Sequence, residues 1–399
     1  MPEKIAISAL ICEFDPLHFG HREILSQMRA AGGAVCCIMS GNFVQRGGPA
    51  MLDKWSRARL ALENGADLVF ELPLPWACAG AQRFAAGGVC LAGALGAERL
   101  YFGAENPDLA LLSALAEALG SPEFSLALAR QKDTGQTFAQ RRQRALAVLF
   151  GEEAVKPISL PNCTLGIEYL YAIKEQNLSI QPVAVQRVGA EHHAQELSLS
   201  PNGGYFSAGQ LRKLAAAGKE LEGLVPTSTA KVVKELRLTG RFPVLPQNLE
   251  RALLCKLRTM SKQDFAALPD LSEGLENRLY RASRQACSAE ELYRLVKCKR
   301  YTHSRIRRLA THAFLGVTSN LPQLPPYLRL LGMTELGRQT LGQARPSLPV
   351  ATRAAGFSAL SPEAQQVFAL EAAADDLYTL GAPQPGPAGR DYREKIIKI

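Results

Sequence analysis

"KIAISALICEFDPLHFGHREILSQMRAAG", residues 4–32, decides the fold. Its first part, 4–12, is an almost unbroken apolar run of strand length. A turn containing Pro16 follows. Residues 20–32 then place Ile24, Leu25 and Met28 at helical spacing before a glycine stop. A strand apolar on both faces feeding an amphipathic helix is the opening of a parallel βαβ unit. The pattern recurs downstream. "AVCCIMS" (34–40), "ADLVFELP" (66–73), "ERLYFGAE" (98–105) and "QPVAVQRVG" (181–189) read as further strands. "DKWSRARLALENG" (53–65), with Asp53 as N-cap, and "LGIEYLYAIKEQ" (165–176) read as helices. The expected fold is α/β, a parallel sheet covered by helices on both faces.

Residues 106–150 are rich in alanine and leucine and read as a helical insertion. From about 225 the patterns are almost wholly helical, with a boundary near "LEGLVPTSTA" (221–230). The expected organisation is an α/β domain over 1–224, a basic helical domain over 225–380 and a flexible Gly/Pro-rich tail over 381–399. With 47% hydrophobic and 21% charged residues among 399, the chain has an ordinary globular composition. No apolar run is long enough to span a bilayer, and the N-terminus lacks an export pattern. The nine cysteines form no CxxC pair and suggest reduced thiols in a cytoplasmic protein. Oligomeric state is not legible. Net charge is +9, and residues 251–310, with 14 Lys/Arg against 6 Asp/Glu, carry +8 of it. Such a concentration suggests a polyanionic partner; a solvated helix face is the alternative.

"CEFDPLHFGH" (12–21) places two of the six histidines at the carboxyl end of the first strand. Ligands of open parallel sheets collect there, and a helix N-terminus offers unpaired N–H groups and partial positive charge. Gly20 allows close backbone approach, and His18 and His21 share the first turn. Imidazoles so placed can donate to phosphate oxygens and spread the charge of a phosphoryl transition state. Two cap-region histidines satisfied by backbone groups are the structural alternative. "YFSAGQLRKL" (205–214) supplies a second small-residue turn, with Ser207 as a cap and Arg212 one turn on.

The chain resembles the tRNA(Met) cytidine acetate ligase family, HxGH nucleotidyltransferase-like proteins of bacteria. The resemblance runs through "CEFDPLHFGH", the long stretch 39–73, "YFGAEN" (101–106), "LPNCTLGIEYL" (160–170), "QRVGAEHH" (186–193), "SAGQLR" (207–212) and "KRYTHSRIRR" (299–308). It implies a Rossmann-like, HIGH-type nucleotidyltransferase domain followed by a helical C-terminal domain. It also implies that ATP activates acetate as acetyl-adenylate. The wobble cytidine of elongator tRNA(Met) then takes the acetyl group, and AMP and diphosphate are released.

For the site, the resemblance implies an ATP-binding segment of Ile11, Cys12, Glu13, Phe14, Asp15, Pro16, Leu17, His18, Phe19, Gly20, His21, Arg22, Glu23 and Ile24. His18 and His21 act on the phosphates, and Gly103, Asn162 and Arg187 complete the nucleotide site. Asp15 stands where the family carries asparagine; Mg²⁺ bridging Asp15 and phosphate would accommodate it. No resident metal site is expected. Asn42, Gln45 and Arg46, after the second strand, are candidates for the acetate or cytidine pocket. Lys299, Arg300, Arg305, Arg307 and Arg308 are candidates for tRNA phosphates, with Tyr301 available to stack on a base. Two other functions fit the same residues: an adenylyltransferase acting on a small metabolite, and a non-catalytic ATP- and tRNA-binding protein.

Overall fold

Five apolar runs of the first half become the parallel strands β1 (Ile7–Cys12), β2 (Ala34–Ser40), β5 (Leu68–Leu72), β6 (Arg99–Ala104) and β7 (Gln181–Gln186). Two short strands, β3 (Phe43–Val44) and β4 (Gly48–Pro49), form a separate hairpin after β2. The computed structural model describes residues 4–131, 136–187, 205–272 and 274–399. β1 lies at the centre, and the parallel part has the order β5-β2-β1-β6-β7. The chain winds one way from β1 through β2 to β5 and the other way through β6 to β7. The switch point therefore lies between β1 and β6, where such sheets bind ligands.

Strand alternation explains the two layers. Ile7, Ala9 and Ile11 of β1 join one core cluster, and Leu10 and Cys12 join the other. Every residue of β1, β2 and β5 is buried, which is why these strands read as continuous apolar runs. Among the described residues all cysteines are free, with Cys12, Cys36 and Cys37 in the core. Cys90, expected there too, is half-buried.

The second half departs from expectation. The stretch 225–380, read as almost wholly helical, contributes β8 (Leu328–Met333) and β9 (Val350–Ala351). β8 runs antiparallel against β5 and extends the central sheet. Leu253, Ile306, Leu309 and Val367 share one apolar cluster with Ile7, Ile38 and Phe70, so these helices close the face of the sheet. Helices Leu109–Leu119, Pro122–Ala129 and Phe138–Phe150 fill the 106–150 region.

The segment 381–399, expected as a flexible tail, is instead built into the molecule. Strand β10 (Ile397–Lys398) pairs with β8, and Asp391, in helix Arg390–Arg393, is buried. An ion-pair network holds it. Lys54 Nζ lies 2.8 Å from Asp391 and 2.8 Å from Glu71. Arg329 of β8 lies 2.9 Å from Asp391 and 3.0 Å from Glu71. Glu371 Oε2 accepts from the Leu74 N–H at 2.6 Å. A Gly/Pro-rich sequence looks mobile until the partner of its one buried acid is known.

Candidate active site

The loop from Glu13 to His18 leaves β1 at the switch point. Arg57, wholly buried in helix Lys54–Glu63, anchors it by donating to the carbonyls of Glu13 (2.7 Å) and Ser40 (2.9 Å). One guanidinium thus ties the carboxyl ends of β1 and β2 together. Phe14 takes a left-handed backbone (φ 50°), an uncommon conformation for such a residue, and its buried ring meets His21 edge-on at 5.1 Å.

His18 is the N-cap of helix Phe19–Ala30, and the two histidines form a reciprocal capping box. His18 Nδ1 accepts from the Gly20 N–H (3.1 Å), and His21 Nδ1 accepts from the His18 N–H (3.4 Å). Their rings stack at 3.7 Å. An imidazole nitrogen that accepts carries no proton, so the neutral ring bears its proton on Nε2. Burial, reinforced by the charges of Arg187 and Arg212, pushes His18 down to about 3. Burial and then the neighbouring His18, Arg187 and Arg212 hold His21 well below the usual histidine value. Both histidines are therefore neutral, with fixed tautomers and an Nε2–H free to donate. The capping alternative and the phosphate-donor reading are compatible, because each ring uses its two nitrogens separately.

These rings open into a cleft of about 590 Å³, its mouth included, lined by His18, Gly20, His21, Glu23, Ile24, Gln186, Arg187, Tyr205, Phe206 and Ser207. Ser207 caps helix Ala208–Ala216 in a second capping box with Gln210. Two helix N-termini and Arg187 thus converge on one cleft of neutral imidazoles. That arrangement favours a phosphate chain. Phe19 packs against Tyr205 (5.6 Å) and under the Arg22 guanidinium (4.8 Å).

The other expected nucleotide residues separate into groups. The side chains of Ile11, Cys12, Phe14 and Leu17 are core, and Pro16 is buried, so they can offer a ligand only backbone. Glu13 accepts from the Gln45 N–H at 2.9 Å. Asp15 does not fit a Mg²⁺-bridging role. It is buried, Oδ1 accepts from the Met51 N–H (2.8 Å), and Oδ2 faces Arg212 at 3.7 Å. Arg212 also donates to the Asp15 carbonyl at 2.7 Å. No group of three metal-ligating side chains occurs among the described residues. Gly103 sits beneath Arg187 and Ile24; a Cβ there would lie 3.3 Å from Arg187 Cγ and 3.4 Å from Ile24 Cδ1. Arg187 donates to Asn162 Oδ1 at 3.0 Å. Of "QRVGAEHH", residues 188–193 lie outside the described residues.

The pocket expected from Asn42, Gln45 and Arg46 is corrected in part. Asn42 is buried, donating to Asp375 and accepting from the Lys54 N–H at 2.6 Å, so it braces the loop and faces no substrate. Gln45 is half-buried and Arg46 exposed. Gly47 (φ +77°) lets this loop pack on the helix His303–Leu315; a Cβ would come 2.6 Å from Arg308 N. The fold thus brings the 45–47 loop against the basic stretch. Within that stretch, Lys299, Arg300 and Arg307 are exposed, and Arg308 is half-buried. Arg305 is held by the Asp270 carbonyl (2.6 Å) and Ser272 Oγ (2.9 Å). Tyr301 is buried in the core and cannot stack on a base, because its ring faces inward and its hydroxyl donates to the Ser272 carbonyl.

Sequence reasoning missed Gln186, Tyr205 and Phe206 in the lining of the cleft, and Glu105 behind it, bonded to Asn162. Glu105 and Gln186 stood inside motifs already singled out, beside Gly103 and Arg187. Burial and contact, not residue type, distinguish them.

Comparisons with known proteins accord with this geometry. The profile of the HIGH Nucleotidyl Transferase family matches residues 5–391. A protein of Caldanaerobacter subterraneus named tRNA(Met) cytidine acetate ligase is 36% identical over 403 residues, covering 98% of this chain and 99% of that one. The crystal structure of apo Thermotoga maritima TmcAL superposes with a TM-score of 0.92 at 29% identity, covering 99% of this chain and all of that one. Thermotoga maritima TmcAL bound with alpha-thio ATP gives a TM-score of 0.90 at 28% identity, with the same coverage of 99% and 100%.

Proposed function

This chain belongs to the HIGH nucleotidyl transferases and, among them, to the tRNA(Met) cytidine acetate ligase family, and on that premise we propose that it uses ATP to acetylate the wobble cytidine of elongator tRNA(Met). The observation that carries this reading is the pair of neutral histidines, His18 and His21, presenting Nε2–H donors beside Arg187 at two helix N-termini. An acetate oxygen attacks the α-phosphorus of ATP, the bond to the β-phosphate bridging oxygen breaks, and diphosphate leaves. The chain's part is to hold the phosphates in line and receive the charge developing on their oxygens. The cytidine amine then attacks the acetyl carbonyl, loses a proton, and AMP departs. Water would hydrolyse the adenylate, so the cleft must favour the amine over solvent. ATP and tRNA as substrates imply a cytoplasmic setting.

The test is transfer of labelled acetate to unmodified elongator tRNA(Met), with ATP present and absent. ATP-dependent label that disappears when the wobble cytidine is replaced by uridine supports the reading. Label absent under all conditions refutes it and leaves nucleotide binding alone.

The exposed cations of the basic stretch, Lys299 and Arg307 among them, are the proposed tRNA contacts. Alanine at Lys299 and Arg307 together should weaken tRNA binding alike for all sequences. It should also flatten the slope of log K against log salt by about one for each phosphate no longer neutralised. A slope equal to that of the unaltered chain removes both residues from the interface.

A further inference from the structure

Glu105 lies one residue beyond β6 and does not line the cleft. Its Oε1 accepts from Asn162 Nδ2 at 2.6 Å and from the Asn162 N–H at 3.2 Å. Its Oε2 accepts from the Cys163 N–H at 3.0 Å. It thereby caps helix Pro161–Glu175, whose own N-cap residue, Leu160, supplies no side-chain acceptor. On the other side of the Asn162 amide, Arg187 Nη1 donates to Oδ1.

We propose that Glu105 is a positioning residue for the nucleotide: through Asn162 it sets the place of the Arg187 guanidinium at the cleft. A carboxylate only accepts and a guanidinium only donates, and an amide does both. Asn162 stands between them as an adapter, and only one orientation of its amide satisfies both neighbours. The backbone supports the same arrangement. Arg187 N–H donates to the Ala104 carbonyl at 3.0 Å, so Glu105 and Arg187 leave adjacent parallel strands side by side. Burial opposes ionisation of Glu105, but the hydrogen bonds from Asn162 and Cys163 outweigh it and hold the carboxyl below its usual value. In the Glu105→Gln variant one of the two acceptor oxygens becomes a donor, which meets another donor either at the Asn162 amide or at the Cys163 N–H. Either way Asn162 is displaced with the helix start it belongs to, and its Oδ1 leaves the place where Arg187 donates.

This inference rests on the ATP-binding reading above, so the test measures ATP affinity directly by calorimetry without acetate or tRNA. Glu105→Gln should raise the Kd for ATP roughly tenfold, the loss expected when a hydrogen bond to a charged group is misaligned. Asn162→Asp, which sets two carboxylates together, should do the same. The double variant Glu105→Gln/Asn162→Asp rebuilds the chain of bonds: the new amide donates to the new carboxylate, and that carboxylate accepts from Arg187. Its Kd should return to within about threefold of the starting value, a non-additivity expected of residues acting through one another. A helix-capping role alone would lower Tm and leave Kd unmoved. An unchanged Kd in Glu105→Gln, or a double variant worse by the product of the single losses, overturns the proposal. Failure of the unaltered chain to bind ATP would instead overturn the functional reading.

Discussion

Alanine at His18 is expected to lower turnover by roughly 10²–10³, the usual effect of removing one donor to a developing oxyanion. The same change removes the N-cap of helix Phe19–Ala30 and should cost about 1 kcal/mol of stability. Asparagine separates the two effects. It caps as well as histidine does but carries no nitrogen at the Nε2 position, so His18→Asn should recover stability and leave turnover low. Affinity for tRNA should be unaltered in both. Full turnover by the asparagine variant would reduce His18 to a cap. Protonation gives a second reading of the same residue. His18 titrates at about 3 in the folded protein, against an ordinary histidine value of 6.5. Below pH 6.5 the unfolded chain therefore binds the extra proton, and stability falls as pH drops towards 3. At pH 5 this amounts to about 2 kcal/mol. The asparagine variant lacks that term, so acid unfolding curves should show it gaining on the unaltered chain as pH falls below 6.5. A stability difference independent of pH would mean that His18 takes up its proton equally readily in the folded and unfolded chain.

Methionine at Lys54 is expected to give the largest loss of stability, about 3–5 kcal/mol, because it strips a buried ion network of one of two cations. Lys54 is fully buried, with Glu71 and Asp391 each 2.8 Å away and Glu371 at 3.8 Å. The Lys54→Met change leaves Glu71 and Asp391 to Arg329 and removes the nearest cation from Glu371 and from the nearby Asp375, which keeps only the charge of Arg390. Burial already pushes Asp375 up to about 7, and burial with the charge of Glu71 raises Glu371 well above the usual carboxylate value. In the variant these groups should take protons more readily still. An acid with a raised folded pKa contributes stability at low pH that is lost as pH rises from about 4 through the folded value. The variant's deficit should therefore be smaller at pH 5 than at pH 8. Because Asp391 sits in the 381–399 segment, the variant should also expose that segment to carboxypeptidase or trypsin before global unfolding. A deficit under about 1 kcal/mol, or one independent of pH, would show that the network contributes little.

The chain shows how far local pattern carries. Continuous apolar runs such as 34–40 and alternating helices such as 53–65 declare a parallel sheet, because burial on both faces leaves no room for polar side chains. His18, Gly20 and His21 are legible for the same reason: a strand end, a tight turn and a helix start are local features. Asn42 misleads, since nothing near it in sequence announces Asp375. Tyr301 looks like a stacking residue because cations surround it, yet its ring is core.

By itself the sequence determined the sheet, the switch-point loop, the two histidines and the basic stretch, all features set by periodicity and short-range capping. Tertiary structure alone decided which polar groups meet. It fixed both imidazole tautomers, aligned Glu105, Asn162 and Arg187, turned Asp15 away from the cleft, and drew β8 and the C-terminal segment onto the central sheet. The physical reason is that hydrophobic burial depends on residue type averaged over a segment. A buried hydrogen bond or ion pair depends on one partner, at one distance, from a distant part of the chain.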